Sequence, residues 1–557
     1  MTTPSSRPRD AVLRAAFATV AVLAPAASAW SFSIDTDNPE LKIRWDNSFR
    51  YNLGLRARNC DENICGNGQG LGDVTAYQSD RKFAKAGDVV TNRIDLLSEF
   101  DLIYKRDHGF RVSGAAWFDE AYKNELKGDA ALDATGLGMG AGRTGGPYAD
   151  FTKRWNRGPS GEWLDAFAFT KLDLGDVPVN FKLGQHNIYW GESLFSSVGG
   201  VAYNQGPLDF RKALANPGVQ AKELFKPLNQ LSWAAQLTDT LGFAGQYYLD
   251  WKPTQLPDGG TYFGAADGFG LGGTGTIFGA PTVVSATPKK RGDWGLSMRW
   301  RPDWLEGTAG LYYREFTNKF AQLVSTPSGF GIDFSSEKRE KLIGVSLAKQ
   351  VWGISFGADL TYRPDAVLSA TPFATFVPAG ASDSSWKPTG NVVTAVLNGI
   401  AYFGKNPVFD SAALTAEVNF AQLQKVTANP QNYNGVGYHC VQANQFACQT
   451  KTAVGMNILF EPKWFQVFDG VDVSAPMSYG QGVHGNSPVI FGDNLGQGNW
   501  SLGVKGDVFN KYAVTLQYNG FIGRHAHDEL GAGSDNNSAL GKYWDRDWVS
   551  LTLKTTF

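Results

Sequence analysis

Six histidines, four cysteines and no short catalytic signature leave few places in this chain where covalent chemistry can start. His186 and Trp190 share one parity of an alternating stretch, residues 179–190. An acid/base or nucleophilic site would need such a base steered by a third group beside a serine or carboxylate. The chain carries no G-x-S-x-G, H-E-x-x-H or H-x-x-E-H pattern. His525-Ala526-His527 offers two ligands on a glycine-rich stretch, fewer than a metal centre uses, so no metal or cofactor is expected. The cysteines fall in two close pairs, Cys60 with Cys65 and Cys440 with Cys448. Neither pair has zinc-site spacing, and two local loop disulfides are expected of an exported chain.

Charge is left as the chemistry to explain. Arg44, Arg50, Glu99, Asp101, Arg111 and Lys182 each occupy the polar parity of an alternating stretch. One reading is a pore lining that steers a ligand. The other is mutual salt-bridging and hydration on a polar wall, and the interleaving of both signs favours it.

The elements that hold these charges are strands. Leu41, Ile43, Trp45, Phe49, Tyr51, Leu53 and Leu55 share one parity; Lys42, Arg44, Asp46, Ser48, Arg50, Asn52 and Arg56 share the other. A helix would scatter those charges round its circumference, whereas period two collects them on one face. The C-terminus repeats the pattern: Phe557, Thr555, Leu553, Leu551 and Val549 alternate with Thr556, Lys554, Thr552, Ser550 and Trp548. An apolar face ending on an aromatic resembles the assembly signal of Gram-negative outer-membrane barrels, with Phe557, Leu553 and Leu551 as its residues.

Arg7, Arg9 and Arg14, the apolar run Ala15 to Ala27 and the triplet Ala27-Ser28-Ala29 read as a secretory signal peptide over 1–29, cleaved after Ala29. One domain, 30–557, would remain, destined for the outer membrane of a Gram-negative bacterium. That part has no apolar run of about 18 residues, so no helical membrane span is expected. Charge nearly cancels, 51 basic against 53 acidic residues, which points away from nucleic acid.

About 18 alternating stretches (16–20) follow one another, joined in turn by short and long connections. Short periplasmic turns and long extracellular loops are the pattern of an antiparallel transmembrane β-barrel, and an even count leaves both termini on the periplasmic side. Among the short connections is a turn at Gln350. Trp45, Trp294, Trp300, Trp500, Tyr512 and Trp548 are expected in the aromatic girdles.

The stretch 191–227 is long for a structureless loop and carries Glu192, Asp209, Arg211, Lys222 and Glu223 between apolar residues. Folded inward, it would narrow the barrel, and its charges would meet wall ions such as Arg44 or Glu99. A surface loop without a pore role is the alternative.

Gly184-Gln185 through Trp190-Gly191-Glu192, the segment Asn204 to Arg211, and Gly218 to Pro227 with Lys222-Glu223 carry a resemblance. They are similar to a proteobacterial family catalogued as domain of unknown function 1302, and the likeness extends over essentially the whole mature chain. The Cys60–Cys65 loop departs from the family. The resemblance implies an outer-membrane barrel, put in place by the barrel-assembly machinery in contact with outer-membrane lipid. It also implies work with a LolB-like periplasmic carrier and an RND-type permease. Such company suggests a conduit for a hydrophobic or lipid-like molecule. A general porin for small hydrophilic solutes, or an outer-membrane enzyme or adhesin, are the alternatives.

Overall fold

The computed structural model describes residues 32–34, 36–61, 78–127, 145–195, 198–217, 219–264, 276–277, 280–326, 329–334, 339–371, 386–440, 448–523 and 543–557. The expected signal peptide, Cys65, His525 and His527 lie outside them. The main sheet contains 20 hydrogen-bonded segments. Phe32–Ile34 is an N-terminal extension, and Val471–Ser474 and Met477–His484 are halves of one strand, which leaves eighteen wall strands. They are β1 Leu41–Arg56, β2 Val89–Tyr104, β3 His108–Asp119, β4 Ser160–Leu174, β5 Val177–His186 and β6 Leu228–Gln236. Next come β7 Leu241–Tyr248, β8 Trp294–Trp300, β9 Gly307–Phe316, β10 Glu340–Val351, β11 Ile354–Val367 and β12 Thr389–Phe403. The wall ends with β13 Ser411–Ala428, β14 Thr452–Phe468, the split β15, β16 Gly498–Val508, β17 Tyr512–Ile522 and β18 Trp548–Thr556. The split in β15 falls at Ala475-Pro476, because proline has no N–H to give the ladder.

Each strand pairs antiparallel with the next, and β18 returns to β1 from Arg56↔Trp548 to Ser48↔Thr556. Asn47 and Phe557 then exchange two backbone hydrogen bonds of 2.7 and 2.8 Å. Phe32–Ile34 pairs with Ile43–Trp45 and continues the line of β18 past its end. A closed barrel leaves no unpaired sheet edge to lipid. The alternation does what its period requires: Arg50, Asn52 and Arg56 are buried inside, while Trp45 and Leu55 face out.

The turns at one end are tight. β10 and β11 are joined by Trp352-Gly353, with φ of 51° and 79°, the left-handed pair that suits a two-residue hairpin. That corrects the expected turn at Gln350, which is still paired in the strand. Two further expectations are corrected. β5 stops at His186 rather than at 190. Trp548 is no girdle residue: it points inward and packs on Phe263, with ring centroids 5.4 Å apart.

The early end of β5 breaks the wall locally. β4 pairs with β5 over Ala166–Leu174. Over Ser160–Trp163 it has β3 on one side, and β5 has already stopped on the other.

Candidate functional site

The chain that leaves β5 at His186 rejoins the wall at Leu228, where the two residues pair. Between them, Asp209 caps the helix α1, Phe210–Ala215, by accepting from the N–H groups of Arg211 and Lys212. A second short helix, α2, spans Ala221–Leu224, and the Glu223 side chain reaches back 3.1 Å to the Gln220 N–H.

Wall side chains hold this segment from many directions. On β11, Asp359 accepts from the N–H of Glu192 at 2.9 Å and of Val201 at 3.0 Å. On β13, Glu417 accepts from the N–H of Leu194 and Phe195 at 2.6 and 3.2 Å. Arg314 of β9 donates to the carbonyls of Val201 and Tyr203, both at 2.7 Å. On β12, Thr394 donates to the Gly199 carbonyl at 2.7 Å. From the far side, Arg50 of β1 grips Glu223 with two bonds of 3.2 and 3.3 Å. Glu99 of β2 takes Lys222, and Glu162 of β4 takes Lys212 and, at 3.0 Å, Lys226. These strands are spread round the circumference, so the described residues between 187 and 227 lie across the lumen.

The glycines next to the Asp359 clamp are needed there. A Cβ on Gly191, which has φ of +88°, would sit 2.4 Å from the Asp359 carboxylate, and one on Gly200 2.8 Å from it. Either would push out the backbone that the carboxylate holds. Behind the clamp lies an apolar cluster: Trp190, Val201 and Tyr203 of the segment against Tyr312, Phe316 and Leu342 of the wall. Phe210 stacks on Phe491 at 5.6 Å, and Phe491 lies 4.8 Å from Phe320.

The residues expected to matter divide as follows. Arg50, Glu99, Lys222 and Glu223 come together at the α2 contact. Asp209 and Arg211 pair with each other at 2.9 Å. Burial alone would raise the Asp209 carboxyl, but the charges of Arg211 and Lys226 outweigh it and hold Asp209 well below the usual carboxylate range. Arg44 is not part of this contact; it pairs with Asp46 and Asp101 at 3.1 and 3.0 Å nearer the turns. Arg111 joins Glu99, Asp101 and Asp165. Lys182 lies over the Phe167 ring at 5.3 Å. Glu192 has Arg299 at 3.7 Å, and burial raises its carboxyl. Trp190 is buried against Tyr312 rather than mounted on a strand. His186 lies 2.8 Å from Ser232 Oγ and 3.0 Å from the Gly184 carbonyl, so the third group beside it is backbone rather than a carboxylate. Among the described residues no group of three or more metal-ligating side chains is found. Cys440 and Cys448 form a disulfide with Cα atoms 5.7 Å apart.

Asp359, Glu417, Arg314 and Glu162 were not anticipated. Parity was the available signal: Gly357, Asp359, Thr361 and Arg363 alternate with Phe356, Ala358, Leu360 and Tyr362, which places an acid on the inner face of β11.

A closed antiparallel barrel, apolar outside and polar inside, with tight turns at one end and long loops at the other, is a transmembrane β-barrel of the outer-membrane class. Within that class, residues 11–557 match the family described as Protein of unknown function (DUF1302), and the chain belongs to it. Among curated proteins none matches the chain in sequence. Solved structures with a similar course include OccK2 (OpdF) of Pseudomonas aeruginosa in complex with glucuronate. It is 10% identical with a TM-score of 0.39, covering 92% of this chain and 98% of that one. A BenF-like porin from Pseudomonas fluorescens Pf-5 is 9% identical, with the same coverage and score. The outer membrane channel DcaP of Acinetobacter baumannii is 10% identical with a TM-score of 0.36, covering 94% and 100%. Likeness at this level carries no argument about cargo.

Proposed function

We propose that the protein is an outer-membrane conduit for a hydrophobic or lipid-like molecule, with residues 187–227 as the plug that sets when and what it passes. The observation that supports this reading is the filling of the lumen. The charges of the segment are taken up by the wall, in Arg50–Glu223 and Lys222–Glu99, while Trp190, Val201, Tyr203 and Phe210 form the apolar centre. A general porin for hydrophilic solutes needs a water-filled eyelet lined by free charge, and these charges are already paired with each other. In this reading a periplasmic carrier of the LolB-like kind and an RND-type permease work at the turn end of the barrel, since an apolar cargo needs shielding from water on that side.

The test is mass spectrometry of what the purified barrel retains, together with planar-bilayer conductance. A co-purified apolar molecule and a small, infrequent conductance are expected. A large steady conductance with selectivity for small hydrophilic ions, and no retained molecule, would establish the porin reading instead.

A further inference from the structure

Where β5 abandons β4, the barrel wall has a cleft of about 850 Å³. Its walls come from both faces of the sheet. Leu96, Ala116 and Trp163 belong to the outward parity, with Leu96 39% and Trp163 70% exposed. Glu162, Leu164 and Lys226 belong to the inside. In place of a ladder, the Gln185 side-chain amide donates to the strand edge of β4, to the Trp163 carbonyl at 3.0 Å and the Leu164 carbonyl at 2.5 Å. On the opposite rim stand Lys226-Pro227 and Lys252-Pro253. Two prolines there have no N–H to offer β4, so the ladder has no means of closing at this height.

The chemistry of the cleft is divided along its length. Its outer part is apolar and open to the level of lipid. Its inner part carries Arg154, Lys226 and Lys252 against one carboxylate, Glu162. Glu162 is already engaged by Lys212 and Lys226. Lys252 donates to Gln185 Oε1 and to the Pro227 carbonyl, both at 3.4 Å, and its nearest paired carboxylate is Asp250 at 3.9 Å; among the described residues no carboxylate pairs with Arg154.

We infer that this cleft is a lateral binding site for a single-chain amphiphile with an anionic end. Its chain lies along the outer face of β2 to β4, and its carboxylate meets Lys252 and Arg154. The inference rests on the conduit reading for what it contributes to transport, not for the site itself. It gives the cargo a sideways passage between the lumen and the lipid, beside rather than through the plug.

The probe is a long-chain fatty acid carrying a diazirine and an alkyne, photolysed on the full chain in neutral detergent and mapped by mass spectrometry. Adducts are expected within 96–98, 114–116 and 161–164, competed by oleate and not by oleyl alcohol. The Arg154→Ala/Lys252→Ala double variant, changed only at the cleft rim, should weaken oleate competition about a hundredfold, the loss of two charge-assisted contacts at about tenfold each. Ala116→Trp should fill the apolar half and remove the adducts, with heat-resistant electrophoretic mobility confirming a folded barrel. Adducts spread round the outer wall, at Leu311, Leu397 or Leu516, or indifference to the double variant, would overturn the site. Oleate passage into proteoliposomes tests the conduit separately. Cleft labelling without passage keeps the site and sinks the conduit. Equal passage by wild type and a folded Ala116→Trp barrel keeps the conduit and sinks the lateral route.

Discussion

Replacing Glu223 by glutamine removes one charge and little else, because glutamine keeps the shape and has a similar helix propensity. In the native chain Arg50 and Glu223 are 5% and 4% exposed at their side chains, so neither charge has water to fall back on. After Glu223→Gln, the carboxylate nearest Arg50 is Asp95 at 3.5 Å, which also holds Arg93 at 2.9 Å. Removing one partner of a buried pair costs about 3–5 kcal/mol, because the other charge is stranded. Asp95 compensates in part, so the lower end applies, and about 3 kcal/mol corresponds to roughly a hundredfold rise in the fraction of barrels with α2 released. Trypsin reads that fraction through cleavage at Lys222 and Arg211, provided reclosing is fast compared with cutting. Arg50→Met should release the segment less, since the carboxylate left behind can turn toward Lys222 or Lys554. The double variant should be closer to wild type than the sum of the two, since no charge is then stranded. Cleavage of Glu223→Gln at the wild-type rate, or strict additivity in the double variant, would show that the pair does not hold the segment.

Deleting Val198 to Asn216 should leave a folded, heat-resistant barrel with higher single-channel conductance; unchanged conductance with protease-sensitive 187–227 on whole cells would place the segment outside. Burial, and secondarily the nearby Glu417, push the Asp493 carboxyl up to about 6. The folded loop 485–497 therefore binds the proton better than the open one, and its stability falls as pH rises from the ordinary carboxylate range through about 6. Hydrogen exchange in that loop, corrected for intrinsic rates, should be slower at about pH 5 than at about pH 7.5, and Asp493→Asn should abolish the difference. Deleting Phe557 removes two backbone bonds to Asn47 and should sharply lower outer-membrane yield without stopping secretion; an unchanged yield would refute its role in assembly. A tag at Asn434 should label on intact cells and one at Thr240 should not, and the reverse pattern would invert the barrel.

Much of the wall was legible because period two is a local property. Residues 41–56 and 548–557 state in their own order which side faces lipid. The end of β5 was not legible, since His186, Ile188 and Trp190 keep the parity of a strand for one turn after the hydrogen bonds stop. The charges of 191–227 could be seen, but not their partners. Which wall ion stands opposite Glu223 depends on the stagger of eighteen strands, and no local pattern encodes that. The same limit hid the cleft, because an interrupted ladder is a missing neighbour rather than a residue type. The prolines at 227 and 253 were its only trace in the chain.

The segment that crosses the lumen is attached at both ends to β5 and β6, yet it is held by strands made much later. Glu192 meets Asn398 across 206 residues, and Leu194 meets Glu417 across 223. The last strand, β18, seals against the first. In the finished barrel the segment is therefore bound both to the seam strand β1 and to β11–β13, far from the strands that carry it. Emptying the lumen means breaking contacts with strands from both ends of the chain, so the filling is a property of the closed wall as a whole rather than of β5 and β6 alone.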